Sequence, residues 1–254
     1  MMNTTILSVG DELISGEVQD TNGPYAARYL TARGIQVQRI VIVPDDEEAI
    51  ASALDEGGLN LVGGGLGGTH DDLTRQGIAR RTGLALEVSE AARALMPPLP
   101  PGHSAEFEVS RQRMATLPHG AEPVRNPVGV APGFIVRDPL LIVVLPGIPA
   151  EFRPTFQAAV ERLDLPEAPY HTERMTFELP ESLLRRPIER TLEQFPNVKI
   201  GSYPRQRSQK GKGKRWAVEI RFRTSDPEML EQAAAFLREQ VAMRKHSDKG
   251  GDDD

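Results

Sequence analysis

The sequence predicts an α/β protein: a largely parallel sheet covered by helices on both faces, followed by a small α+β unit. Two patterns carry this. Over the first half, short β-rich apolar runs alternate with segments of helical spacing in the order β-α-β-α-β-α, which requires crossovers and therefore parallel strands. Past a proline-punctuated stretch at residues 165–170 the order becomes strand, helix, strand, strand, helix. A chain of 254 residues suits two modest domains. They are placed at 1–166 and 167–243, with 244–254 expected as a disordered tail.

Each element has a local reason. Residues 4–9 are a β-rich run ending at Gly10. Residues 21–33 carry Tyr25, Tyr29 and Leu30 at helical spacing, with Gly34 as the stop. Residues 35–43 alternate into Pro44 as a second strand. Asp45 and Asp46 open and cap a helix through Leu54. Residues 59–62 form a short buried strand that empties into a glycine cluster, and 72–82 a helix stopped by Gly83. Residues 89–96 and 105–115 read as helices separated by Pro97, Pro98, Pro100 and Pro101, which fix φ and lack amide donors. Residues 133–137 and 140–145 are strands, the second wholly aliphatic and hence central, and 146–151 turn into a helix to about Leu163. The second unit reads as strand 172–179, helix 181–195, strands 198–203 and 216–224, and helix 226–241. It lies near the lower size limit for independent stability and is expected to lean on the first.

Composition narrows the function. Hydrophobic residues at 39% and charged residues at 26% exclude wholesale disorder. The longest aliphatic run, 140–145, falls far short of the ~20 residues of a membrane span, and the first nine residues lack the layout of a signal peptide. With no cysteine there is no disulfide framework, thiolate zinc site or cysteine nucleophile. These features predict a cytoplasmic chain away from membranes. The net charge of −6 argues against nucleic acid as the main partner. The basic run Arg205, Arg207, Lys210, Lys212, Lys214, Arg215 reads as a solvated hairpin loop, since no aromatic residue interleaves the cations to stack on bases.

The strongest local signal is the stretch from Gly63 to Thr74, where Gly63, Gly64, Gly65, Gly67 and Gly68 lie between a strand and a helix. Such a turn lets backbone amides approach a phosphate at a positive helix end. It has no Walker lysine and follows the third strand, so neither dinucleotide template fits, although Glu87 sits where a ribose-binding acid would stand. Asp71 and Asp72 beside a pyrophosphate would repel it unless a divalent cation lies between or a carboxylate activates water. The competing role is structural, because Thr69-x-x-Asp72 is a capping-box pattern. A second signal is Gly10-Asp11-Glu12, followed by Asp20-Thr21-Asn22, at the carboxyl edge of the first strand where open α/β sheets bind ligands. Either Asp20 or Thr21 reads as the following helix cap. Stiff turns around Asn126 to Gly133 and Pro146 to Glu151 expose backbone groups at further strand ends. No histidine has metal-motif spacing, though His70 sits in the glycine loop, and neither a G-x-S-x-G elbow nor H-E-x-x-H occurs.

Together these stretches resemble the N-terminal portion of the competence/damage-inducible protein CinA family, whose core is a MoaB/Mog-type molybdopterin-cofactor-biosynthesis domain. The resemblance runs through residues 10–22, 63–74, 111–120, 126–134, 145–156 and 196–203. It implies a three-layer α/β/α domain with a ligand on the glycine loop, then a small α+β domain. It also implies ADP-ribose pyrophosphatase activity dependent on a divalent metal (Mg, Mn or Co) and helped by potassium. Asp72 matches the acid of the metal and nucleotide site, with Asp71 beside it and Asp11 and Glu12 as further metal-shell candidates. Gly64, Gly65, Gly67, Gly68, Thr69, Asn126, Pro146 and Gly147 match ligand-binding positions. Homo-oligomers are implied as well. The family pattern Thr-Gly-Gly-Leu-Gly-Pro-Thr has here become Gly63 for threonine and Gly68 for proline, changes expected to loosen the loop. The nicotinamide-nucleotide deamidase domain of many relatives has no counterpart in the sequence, so deamidation is not expected. Two other readings stay open: a module that binds a pterin or nucleotide without hydrolysis, and a vestigial scaffold.

Overall fold

Fifteen segments of secondary structure build the first unit. They are β1 (Asn3–Val9), α1 (Asp11–Ile14), α2 (Asn22–Ala32), β2 (Gln36–Val43), α3 (Glu47–Ala53), β3 (Leu59–Gly63), α4 (Thr74–Thr82), β4 (Leu86–Val88), α5 (Glu90–Leu95), α6 (Ala105–Ala115), β5 (Thr116–Pro118), β6 (Glu122–Val124), β7 (Gly133–Val136), β8 (Leu141–Leu145) and α7 (Pro149–Val160). The structure is a computed structural model that describes residues 3–99, 101–165, 169–209 and 212–247, with side chains over all but 206–209, 212–216 and 244–247. The chain divides into two units, 1–167 and 168–254.

The six-stranded sheet has the order β2-β1-β3-β8-β7-β6. The first four strands are parallel, and β7 and β6 run antiparallel to their neighbours. Strand alternation feeds two cores. Leu7, Val9, Val62, Phe134, Ile142 and Val144 pack against Ile50 of α3, Ile78 of α4 and Ala92 of α5 on one face. Ile6, Leu61, Ile135, Val143 and Leu145 pack against Leu30 of α2 and Phe152 and Phe156 of α7 on the other. Burial on both faces is why β8 reads as a continuous apolar run and β3 is broken only by Asn60, whose side chain bonds the Asp55 backbone.

The sheet's topology explains why the ligand-type motifs share one place. The carboxyl ends of β1, β2, β3 and β8 lie on one edge, and the antiparallel pair β6–β7 delivers residues 125–132 to that same edge. Each turn singled out in the sequence therefore leaves the sheet on one side.

The second unit comprises β9 (His171–Phe177), α8 (Glu181–Gln194), β10 (Lys199–Gln209), β11 (Lys212–Thr224) and α9 (Pro227–Ser247). An antiparallel sheet β10-β11-β9 places Met175, Val218, Ile220 and Phe222 against Leu184 of α8 and Leu230, Ala233, Leu237 and Val241 of α9, a core of its own.

Several spans differ from expectation for identifiable reasons. Helix α4 starts at Thr74 rather than 72, because the Asp72 carboxylate bonds back to amides of the glycine loop and holds residues 69–73 in a turn. The basic run is mostly strand backbone rather than loop: β10 and β11 stay in register to Arg207 opposite Arg215, and after a one-residue irregularity pair again at Gln209 opposite Lys212. The tip at 210–211 lies outside the described residues. Helix α9 carries backbone through Ser247, into the stretch expected as tail; 248–254 lie outside the described residues. The short elements α1, β4, β5 and β6 have three or four residues each, too few to show a period.

Candidate functional site

A cavity of about 540 Å³ opens at the carboxyl edge of the sheet. Its walls come from the loops after β1, β2, β3 and β8 together with Val130 and Ala131 before β7. This is the crevice outside the strand ends where open α/β sheets take ligands.

The glycine loop is the floor, and its shape is held from outside the cavity. Gly64 has φ 111, and an added Cβ would lie 2.2 Å from the Val9 carbonyl oxygen, so no side chain fits. Its N–H donates to the Leu145 carbonyl at 3.0 Å, and the Thr74 hydroxyl donates to the Gly64 carbonyl at 2.8 Å. The Asp72 carboxylate accepts from Gly67 N at 2.7 Å, Thr69 N at 2.8 Å and the Thr69 hydroxyl. Arg75, 3% exposed, donates to the carbonyls of Leu66, Gly67 and Met114, and Arg113 donates to that of Gly68. With carbonyls drawn outward, the N–H groups of Gly65, Leu66 and Gly68 keep no acceptor among the described residues. The first two line the cavity.

The two departures from the family pattern mark close packing rather than looseness. A Cβ on Gly63 would meet the Phe152 ring at 2.9 Å, and one on Gly68 would lie 2.7 Å from the backbone oxygen of Ser110 on α6. Both glycines admit a neighbour that a threonine or proline would displace.

Carboxylates dominate the walls. Glu12, Asp20, Asp45, Asp71, Asp72 and Glu151 line the cavity, and no lysine, arginine or histidine does. All of these but Glu12 have structural partners among the described residues. Asp20 accepts from Ser8 Oγ at 2.9 Å and from the N–H groups of Asn22 and Gly23, capping α2. Glu151 accepts from Asn126 Nδ2 at 2.6 Å. Asp45 accepts from Asp11 N at 3.1 Å, while Asp11 Oδ1 accepts from Asp45 N at 3.3 Å, a reciprocal clasp between the β1 and β2 loops. Asp72 holds the glycine loop as described. Burial raises the Asp45 pKa above its ordinary 3.8, and the nearby charges of Asp11, Glu12 and Asp71 push it the same way. Asp71 is shifted down, held there by the Thr69 hydroxyl and by its own backbone N–H.

The structure gathers most of the residues singled out in the sequence. Gly64, Gly65, Gly67, Asp71, Asp72, Pro146, Gly147 and Glu12 share the cavity wall. Gly147 packs against Gly64, and Asn22 Nδ2 donates to its carbonyl at 2.7 Å, joining the β8 turn to α2. Four others stand elsewhere. Asp11 does not line the cavity, because its carboxylate is turned to the Asp45 amide. Asn126 is buried behind Glu151, where it organises the 126–131 turn through Val128 N, Gly129 N and the Ala131 carbonyl. Gly68 and Thr69 face away from this cavity, and Thr69 lines a smaller one. Glu87 is far from any ribose-binding role, paired instead with His119 at 3.0 Å. Asp45 was assigned to helix capping, yet Asp46 alone caps α3, through Ala49 N, and Asp45 enters the cavity. Glu151 and Met114 also escaped the sequence reading, since nothing local separates a pocket acid from an ordinary first-turn glutamate. Among the described residues no three His, Asp or Glu side chains stand together as a ready metal-binding group. None of the described helices is long and apolar enough to cross a membrane.

A mostly parallel sheet whose strand-end loops enclose a cavity floored by a glycine turn defines the class of the first unit, and comparison with known families agrees. Residues 5–165 match the family described as "Probable molybdopterin binding domain", and residues 169–248 match "FAD synthase, middle domain". The chain belongs to the CinA family of proteins carrying this molybdopterin-binding-type domain. It is 35% identical over 242 residues to a protein of Archaeoglobus fulgidus, covering 94% of this chain and 97% of that one. A CinA-like protein of Citrifermentans bemidjiense is 36% identical over 95% of this chain, which spans 58% of that relative's length. Among solved structures, the protein CinA of Thermoplasma acidophilum, described as of unknown function, superposes with a TM-score of 0.56 at 32% identity. That match covers 63% of this chain and 97% of the other.

Proposed function

We propose that the larger cavity hydrolyses a nucleoside diphosphate sugar with the help of a divalent cation, ADP-ribose being the substrate that family membership favours. The observation that carries this is the wall chemistry: six carboxylates and no cationic side chain around a glycine turn with unpaired amides. A diphosphate settles on such amides only if a cation offsets the acids. Magnesium-type ions are commonly held by one or two carboxylates plus substrate phosphate oxygens, so a site without three clustered protein ligands fits this use.

Asp71 would hold the ion together with Asp72, which keeps one of about four lone-pair positions uncommitted, and Glu12, whose carboxylate has no hydrogen-bond partner among the described residues, is placed to orient the water. When bound, the cation supplies charge neutralisation for the diphosphate and acidifies water. The chain's own work is to seat the diphosphate on the amides of Gly65 and Leu66 and to accept the proton of the attacking water on a wall carboxylate. Water adds to one phosphorus, the bridging P–O bond breaks, and AMP and ribose 5-phosphate leave.

The test is AMP release from ADP-ribose with Mg²⁺, Mn²⁺ or Co²⁺, with potassium present and absent. Asp71→Asn and Glu12→Gln should each lower kcat by roughly 10²-fold while leaving the thermal midpoint near wild type. Wild-type rates in both variants would remove the proposal. Asp72→Asn should lower rate and stability together, since it also ties the loop. A second reading, a module that binds pterin or nucleotide without turnover, is favoured by how fully Asp72 is committed to the loop. Calorimetry showing tight AMP binding with no hydrolysis under any of these metals would establish it.

A further inference from the structure

A smaller cavity of about 280 Å³ shares Gly67 and Asp72 with the larger one and none of its other lining residues. Its charge is reversed. Arg75, Arg113 and His70 line it, with Thr69, Gln76 and Thr116, against a single carboxylate, Asp72. That carboxylate is directed to the loop amides and the Thr69 hydroxyl.

Arg75 is the informative residue. Burial lowers its pKa to about 10, so it remains cationic at neutral pH inside the fold. Its two terminal nitrogens serve three main-chain carbonyls, yet its buried Nε–H has no acceptor. A buried donor left unpaired costs about 1–3 kcal/mol, more when charged, and calls for a partner. Arg113 is exposed and commits one donor, to the Gly68 carbonyl, out of the five a guanidinium carries. Two guanidinium groups lining one cavity, Arg75 held in place by three carbonyls and Arg113 with donors to spare, form the donor set that recognises tetrahedral oxyanions.

We propose that this smaller cavity is a second binding site, one for a phosphate-type oxyanion gripped by Arg75 and Arg113. The proposal does not depend on hydrolysis in the larger cavity. The oxyanion has two possible sources: free phosphate, or a phosphoryl group of a nucleotide whose remainder lies in the larger cavity.

The experiment is a titration of the ¹⁵N-labelled full chain with inorganic phosphate, in EDTA and at constant ionic strength, followed by backbone amide shifts. Saturable shifts are expected at residues 67–76. Arg113→Gln should weaken the affinity about tenfold, the loss of one charge-assisted contact, and Arg113→Lys should restore part of it. Arg80→Gln removes the same charge from an exposed ion pair outside the cavity and should leave the affinity as in wild type. Absence of saturation at tens of millimolar overturns the proposal, and so does equal weakening by Arg113→Gln and Arg80→Gln. A parallel titration with AMP separates the sources. Shifts confined to 67–76 assign a site for free phosphate, and shifts reaching Gly65 and Gly147 as well assign a nucleotide spanning both cavities. The metal-free conditions keep this result separate from that of the ADP-ribose assay.

Discussion

At the scale of single residues, the site is governed by how each acid is used rather than by how many there are. Asp20, Asp46 and Asp72 satisfy backbone amides, whereas Asp45 is half-buried among other carboxylates with one amide in return. Its raised pKa has a thermodynamic consequence. A carboxyl whose folded pKa lies above its unfolded value holds its proton more tightly when folded, so it opposes folding above that pKa and is relieved as pH falls through it. Asp45→Asn, which keeps an oxygen for the Asp11 amide, should therefore raise the thermal midpoint at neutral pH. The gain should fade on acidification toward the ordinary carboxyl range. Thermal melts of both proteins across pH check this; a constant difference at all pH values would show that charge is not the cause. Little of this was readable in the sequence, where Asp45 and Asp46 look alike. Only the clasp between the β1 and β2 loops tells them apart.

At the scale of elements, the glycine loop shows what sequence can and cannot convey. Its position after a strand, its five glycines and the two aspartates that follow were all visible, and the cavity stands there. Its stiffness was not, because the groups that hold it come from α4 and α6: Thr74, Arg75, Arg113 and the backbone of Ser110. Arg75 lies in a segment with low apolar content, and no periodic pattern marks an arginine whose guanidinium turns inward to main-chain carbonyls. The start of α4 was misplaced for the same reason, since Asp72 looks like a first-turn acid while bonding upstream. Gly68→Ala should destabilise the protein by about 1–3 kcal/mol, as overpacking does, because the new methyl would meet Ser110 backbone as well as its hydroxyl. Urea unfolding measures this, and a neutral result would mean that α6 gives way freely.

At the scale of the whole molecule, the alternation of strands and helices made the parallel sheet legible, and the aliphatic run 140–145 correctly predicted a central strand. The three-residue strands were not legible, because pairing partners define them and their own periodicity does not. The two units carry separate cores: Phe222 and Leu237 fill that of the second, while the first has Phe134 on one face of its sheet and Phe152 and Phe156 on the other. Fragments 1–167 and 168–254 should each unfold in a single cooperative urea transition, with slopes scaling with their sizes. A broad, non-cooperative melt of the second fragment would show that its core does not suffice.

A ligand seated on the glycine loop as proposed would be anchored by peptide N–H groups, from positions such as Gly65 and Leu66 that line the cavity. Substitution by any residue other than proline alters a side chain and leaves the main chain's donors in place. Drift in what the crevice accepts must then act through its lip, where Leu13, Val18 and Ile148 stand at the opening and the last two are at least half exposed. On that reading, repainting the apolar lip would change the preferred guest while the main-chain grip beneath it stays as it is.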